Sequence, residues 1–219
     1  MLQVAVLISG SGSNLQALID RQSDYGYRIA CVLSNQPDAY GLIRAQQAGI
    51  ATRIVNHRNF ADRESFEQSM ILAIDDYKID LVVLAGFMRI LTPTFIHHYA
   101  GKLLNIHPSL LPKFKGLHTH QRAIEAREKT HGATVHFVTA ELDGGPLIAQ
   151  AEVSITDTDD AERLAQRVLM VEHQLYPAVV GAIAQGILQQ SDQAIMVGHQ
   201  PAPVSLAHLQ TQVTSHASL

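Results

Sequence analysis

Apolar runs of strand length alternate with segments of helical period along most of the chain. Leu2–Ile8 reads as a first strand, the small-residue loop Ser9-Gly-Ser-Gly-Ser13 follows, and a helix starts at Asn14. A second strand is expected over Arg28–Ser34, a helix over Tyr40–Ala48 and a short strand over Thr52–Val55. Asp62–Tyr77 spaces Phe66, Met70 and Ile74 for one helical face, and Leu81–Leu84 is a buried strand. Leu103–His107 forms another strand, stopped by Pro108. Beyond it the pattern changes. Ala133–Val138 and Leu147–Val153 flank the turn-rich Asp143-Gly-Gly-Pro146, which predicts antiparallel pairing. A long helix follows from about Asp160 to Ala184, with a kink expected at Pro177. The alternation predicts an α/β fold: a Rossmann-like open sheet, mostly parallel in the N-terminal half, with antiparallel strands in the C-terminal half. One domain is expected over residues 1–190, and residues 191–219 read as a loosely attached polar tail.

Composition narrows the partners. Of the 219 residues 47% are hydrophobic and 16% charged, which suits a compact core, and the net charge of −4 comes with no basic tract. No nucleic-acid partner is expected, and an anionic substrate needs a local positive site. The one cysteine, Cys31, lies in an apolar run and excludes an intrachain disulfide or thiolate zinc cluster; it reads as a buried strand residue. The opening run lacks a basic flank and is too short to span a bilayer, so a cytoplasmic protein without a membrane partner is expected. His118-Thr-His120 and the adjacent pair His97-His98 come with no carboxylate at a metal-site spacing, so no metal is expected.

Two sets of residues carry candidate chemistry. The layout strand–Gly10-Ser11-Gly12-Ser13-Asn14–helix lets backbone N–H groups approach an anion at a helix N-terminus. A dinucleotide fingerprint would need a third glycine where Leu15 stands and an acidic residue where Ser34 and Asn35 stand, and the P-loop lysine is absent. The bland alternative is a tight turn with Ser13 or Asn14 as the helix cap. Asn105 and His107, two apart on a strand, project from the same face at its C-terminal end, where open α/β sheets place their sites.

The stretch Asn105-Ile-His-Pro-Ser-Leu-Leu-Pro112 resembles the signature of the folate-dependent formyltransferase family. Ser9–Asn14, Ala85-Gly-Phe-Met-Arg-Ile-Leu91 and Glu141-Leu-Asp-Gly-Gly-Pro146 are similar, in the same order, to the branch that formylates glycinamide ribonucleotide in purine biosynthesis. The resemblance runs from residue 2 to about residue 190. Two other branches, which act on methionyl-tRNA or hydrolyse formyl folate, carry an additional domain that this chain is not expected to have. The resemblance implies a cytoplasmic enzyme of one-carbon metabolism that uses 10-formyltetrahydrofolate as co-substrate, and it leaves room for a homodimer. It implies Asn105, His107 and Asp143 as the catalytic set and Gly10, Ser11, Gly12, Ser13 and Asn14 as the holder of the substrate phosphate. Glu172 becomes a further substrate contact. Arg63, Met88, Arg89, Ile90, Leu91, Thr139, Ala140, Glu141 and Leu142 become folate contacts, and the Leu111–Pro112 peptide is expected to be cis. The chain departs from the pattern at Leu169, where a glutamine is expected, at Lys115, where a proline is usual, and at Ala140, where an acidic residue is common.

The implied chemistry suits these residue types. Attack of a neutral amine on a formamide builds a tetrahedral intermediate with a negative oxygen. Protonated His107 and the Asn105 amide supply donors to that oxygen, and Asp143 supports the imidazolium and relays a proton through water. No covalent intermediate is required.

Overall fold

The computed structural model of the chain describes residues 1–191 and 194–216. Its elements, in order, are β1 (Leu2–Ile8), α1 (Ser13–Tyr25), β2 (Tyr27–Ser34), α2 (Tyr40–Gln47), β3 (Ala51–Ile54), α3 (Arg63–Asp75), β4 (Leu81–Leu84), α4 (Pro93–His98) and β5 (Leu103–His107). After these come α5 (Thr119–Glu125), β6 (Thr130–Phe137), β7 (Leu147–Ser154), α6 (Ala161–Ala184), β8 (Leu188–Gln190), β9 (Ile195–Val197), β10 (Gln200–Pro201), β11 (Val204–Ser205) and α7 (Leu206–His216). An eight-stranded sheet has the order β11-β7-β6-β5-β4-β1-β2-β3. β1, β2, β3, β4 and β5 are mutually parallel, and β6 runs antiparallel to both β5 and β7. The mixed sheet expected from the alternation is therefore present, with the change of direction at β5–β6.

Alternation within β1 explains the two layers. Val4, Val6 and Ile8 pack on one face with Leu15 and Leu18 of α1, Leu42 of α2 and Leu164, Val168 and Leu175 of α6. Ala5 and Leu7 pack on the other with Phe66, Met70 and Ile74 of α3 and Phe95 near α4's centre. Cys31 lies in this second layer, and burial pushes its thiol up to about 12, as suits an inert core residue. Short polar side chains start the helices: the Asp62 carboxylate accepts from Ser65 N at 2.7 Å, and Asp160 accepts from Arg163 N at 2.8 Å. The α6 helix runs through Pro177 as one element. Its fully buried Tyr176 places its hydroxyl 2.9 Å from Leu84 O and 3.2 Å from Leu104 O, pinning the helix across β4 and β5.

The segment after Gln190 is not the loose tail expected from its polar composition. β8, β9 and β10 form a small antiparallel sheet, and β11 joins the main sheet parallel to β7. Leu209 and Val213, one turn apart on α7, are fully buried in the larger core cluster. Tertiary burial of a few scattered apolar residues overrides a weak local pattern here. Leu209→Ala is expected to lower stability by about 2–4 kcal/mol, as for other buried leucines, readable in urea unfolding; a loss below about 0.5 kcal/mol would restore the loose-tail reading.

Candidate active site

The parallel neighbours β5, β4 and β1 end on the same side of the sheet; the glycine loop leaves β1, the segment 85–91 leaves β4, and Asn105 and His107 close β5. On β5, Leu103 is buried in the second core layer. Asn105 and His107 continue the same face to the end of the strand, where the core stops. β6 lies beside them in register, with His136 opposite Asn105 and Thr134 opposite His107.

The loop between β6 and β7 turns back over this face. Asp143 sits there with a φ of 48°, a left-handed conformation that aspartate tolerates better than most residues. Its Oδ2 is 3.4 Å from His107 Nδ1 and accepts the Gly116 N–H at 2.9 Å, and its side chain is 7% exposed. Its Oδ1 faces His136 Nε2 at 3.8 Å. The three residues grouped from sequence as a catalytic set are thus brought together, and His136 lies beside them.

His136 has a defined hydrogen-bonding role. Its Nδ1 lies 2.8 Å from Phe137 O, which can only accept, so Nδ1 carries the proton. Burial holds the ring's pKa below its ordinary value, which favours the neutral form. Nε2 then presents a lone pair, and the Asn105 amide donates to it at 3.3 Å. This contact orients the Asn105 amide with its NH2 group inward and leaves one N–H of that group free.

His107 is flanked on both sides. Nδ1 faces the Asp143 carboxylate and Nε2 lies 2.9 Å from Phe114 O. Two acceptors are satisfied together only by a ring that carries both protons. In this geometry the imidazole offers a substrate oxygen no free N–H until the Phe114 contact opens.

The loop that follows is held by residues the sequence did not single out. Thr134 Oγ1 donates to Ser109 O at 2.6 Å and accepts from Leu111 N at 3.0 Å. The Gln150 side chain donates to Leu111 O at 2.8 Å. The Leu111–Pro112 peptide is cis, as expected. Lys115, one of the departures from the family pattern, forms an ion pair with Glu141 at 2.7 Å and so ties this loop to the one carrying Asp143.

The glycine loop is built for backbone approach. Gly12 caps α1 with φ 69° and no side chain caps the helix, so neither Ser13 nor Asn14 takes the capping role. The first N–H groups of α1 are therefore not consumed by a cap. The loop docks on the start of α2, where Gly41 N donates to Gly10 O at 3.1 Å, and Arg44 Nε donates to Ser11 O at 2.9 Å. Asn14 Nδ2 donates to Glu172 Oε2 at 2.7 Å, and both residues are buried. Burial raises the Glu172 carboxyl above the usual range, and the Asn14 amide works against that rise. Asn14 Oδ1 is buried without a protein partner.

The segment after β4 runs beside this loop. Ser9 Oγ accepts from Met88 N at 2.9 Å and donates to Asn35 Oδ1 at 2.6 Å. Met88 and Ile90 are largely exposed, whereas Leu91 is buried in the core and can offer a ligand only its backbone. Arg89 lies over the Phe66 ring at 5.7 Å. Arg63 begins α3, and in the 139–142 loop Ala140, Glu141 and Leu142 are exposed while Thr139 is half-buried.

Residues 2–180 match the formyl transferase family. The chain belongs to that family. It is 50% identical over 204 residues to phosphoribosylglycinamide formyltransferase of Escherichia coli, covering 92% of this chain and 96% of that one. A human relative, the trifunctional purine biosynthetic protein adenosine-3, is 45% identical over 189 residues, which are 85% of this chain and 19% of that protein. Among solved structures, phosphoribosylglycinamide formyltransferase from Coxiella burnetii superposes with a TM-score of 0.87 at 49% identity, covering 91% of this chain and 95% of that one. The formyl transferase fold thus accounts for the strand order and for the loops that meet at its edge.

Proposed function

We propose that this formyl transferase moves the formyl group of 10-formyltetrahydrofolate to the amine of glycinamide ribonucleotide, in the cytosol, as a step of purine biosynthesis. The observation that carries the reading is the joint placement of Asn105, His107 and Asp143 beside a glycine-turned helix start with no side-chain cap. The glycine loop Gly10–Asn14 binds the substrate phosphate, and Glu172 accepts from a substrate donor. Arg63, Met88–Leu91 and Thr139–Leu142 hold the folate.

The amine attacks the formyl carbon directly, so a C–N bond forms while the carbonyl π pair moves to oxygen. The free N–H of Asn105 donates to that oxygen. His107 exchanges Phe114 O for the same oxygen and donates its Nε2 proton there. Asp143 keeps the opposite ring nitrogen protonated. Through a water it takes a proton from the attacking nitrogen and returns one to the folate nitrogen as the second C–N bond breaks. No metal ion enters the scheme.

Purified protein is expected to release tetrahydrofolate from 10-formyltetrahydrofolate only when glycinamide ribonucleotide is present, followed by the absorbance change of the folate. Release without acceptor would assign the chain to hydrolysis instead, and absence of release with acceptor would remove the proposed reaction.

A further inference from the structure

A buried carboxylate outside the catalytic set holds one end of the folate segment. Glu67, on α3, is 2% exposed. Its Oε1 and Oε2 lie 3.0 and 3.1 Å from Thr92 N, which donates to them, and Oε2 also accepts the Thr92 hydroxyl hydrogen. Burial raises the Glu67 carboxyl above its ordinary range, while the two Thr92 contacts and the charge of Arg63 act the other way. Taking a carboxylate out of water is unfavourable unless its oxygens are fully engaged, and here one threonine engages both.

Starting α4 does not by itself call for that arrangement. Thr92 Oγ1 already caps the helix by accepting from Phe95 N at 3.4 Å, and Pro93 supplies the first helical residue. What Glu67 adds is control of the Thr92 backbone, immediately after Leu91. The other end of the same segment is fixed where Met88 N donates to Ser9 Oγ and Ser9 N donates to Gly86 O. Met88–Leu91 is thereby suspended between two anchors. Within one turn of α3, Arg63 supplies a cation, Phe66 lies under the Arg89 guanidinium and Glu67 grips Thr92.

We propose that Glu67 is a positioning residue of the folate subsite: by fixing Thr92 it sets the backbone of Met88–Leu91, and with it Arg89, against the anionic glutamyl end of the folate. The inference rests on the folate assignment of Met88–Leu91 made above. Glu67 is buried and engaged by Thr92, so its removal is expected to loosen one ligand's site and to leave the chemistry in place.

Steady-state kinetics of Glu67→Gln and Thr92→Val test this, with both substrates varied. Glutamine accepts the Thr92 N–H through one oxygen only, and valine keeps the N–H but removes the hydroxyl. Each variant is expected to raise KM for 10-formyltetrahydrofolate about tenfold, the size of losing one charge-assisted hydrogen bond. KM for glycinamide ribonucleotide should stay within about twofold and kcat within about threefold. Thr92→Ser, which retains both donors, should match wild type. The double variant should be no worse than the worse single one, because the two residues act as one unit. If Glu67→Gln does not fold, the KM split of Thr92→Val decides the same question. An unchanged folate KM, or equal rises for both substrates, overturns the proposal even if Tm falls. Calorimetric titration with 10-formyl-5,8-dideazafolate separates the two levels of inference. A wild type that does not bind this analogue removes the folate assignment and the role of Glu67 with it. A wild type that binds it, beside a Glu67→Gln protein that binds equally well, removes the role of Glu67 alone.

Discussion

Asp143→Asn is expected to bind both substrates within a few-fold of wild type and to turn over about a hundredfold to about ten-thousandfold more slowly, from the usual contribution of a general acid–base group up to the loss seen when a buried partner of a catalytic histidine loses its charge. The geometry explains why binding should survive. The asparagine carbonyl can take the place of Oδ2, accepting from Gly116 N and facing His107 Nδ1. Its NH2 group then lies on the His136 side, where the native Oδ1 is 3.8 Å from Nε2 and the lone pair of that nitrogen already accepts from Asn105. The left-handed backbone at this position suits asparagine as well as aspartate. Side-chain size and the acceptor for Gly116 N are thus retained, while the negative charge and the proton-carrying capacity are lost. Those losses fall on the transition state, so kcat drops while affinities hold. Single-turnover rates measured beside separate binding titrations check this. Wild-type turnover in Asp143→Asn would reduce the residue to a turn former and leave the proton relay without a base.

Gly12→Val is expected to abolish measurable binding of glycinamide ribonucleotide, a loss of at least about a hundredfold, with folate affinity changed only a few-fold. Two effects combine. The residue has φ +69°, a region that costs a β-branched side chain more than about 1 kcal/mol. A Cβ here would also lie 2.6 Å from Gly41 Cα, so backbone rather than a flexible side chain must move. The loop would lift from the start of α2 and its N–H groups would no longer converge on the phosphate. The anchor between Ser9 and Met88 lies upstream of the clash, which is why the folate side should persist. Equal losses for both ligands would show general misfolding instead, and a near-normal acceptor affinity would refute the phosphate role of the loop.

The layout of the candidate site was legible in the chain where its residues end or follow clearly patterned elements. Asn105 and His107 end a buried strand, and the glycine loop joins a clear strand to a clear helix. Asp143 alone looks like an ordinary Asp-Gly turn and acquires meaning only from its neighbours. Shorter pieces escape such a reading for physical reasons. α4 spans six residues and α5 seven, too few to show a helical period, although Thr92-Pro93 is a readable start signal for α4. α5 begins at His118 in a left-handed conformation without a side-chain cap, so no local signal announces it. Glu67 sits beside Phe66 on α3 and reads as one more solvated charge. Its burial is set by Thr92, 25 residues away, which no local pattern reveals. The tail misleads because its strands are two or three residues long and its apolar residues are scattered; Leu209 and Val213, four apart, are the one usable hint.

The short strand β11 gives the molecule a blunt border. A sheet whose last member were β7, eight residues long and partly apolar, would offer neighbouring molecules a row of unpaired peptide groups. Instead, that row is met by two residues of β11, preceded by a proline without an N–H and followed at once by α7, which turns the chain away. At the opposite border β3 is four residues long and presents the charged Arg53. β11 meets β7 only at Ala149 and Gln150, so it breaks the row of exposed peptide groups midway and, by turning straight into α7, leaves an outer strand of two residues as the border itself.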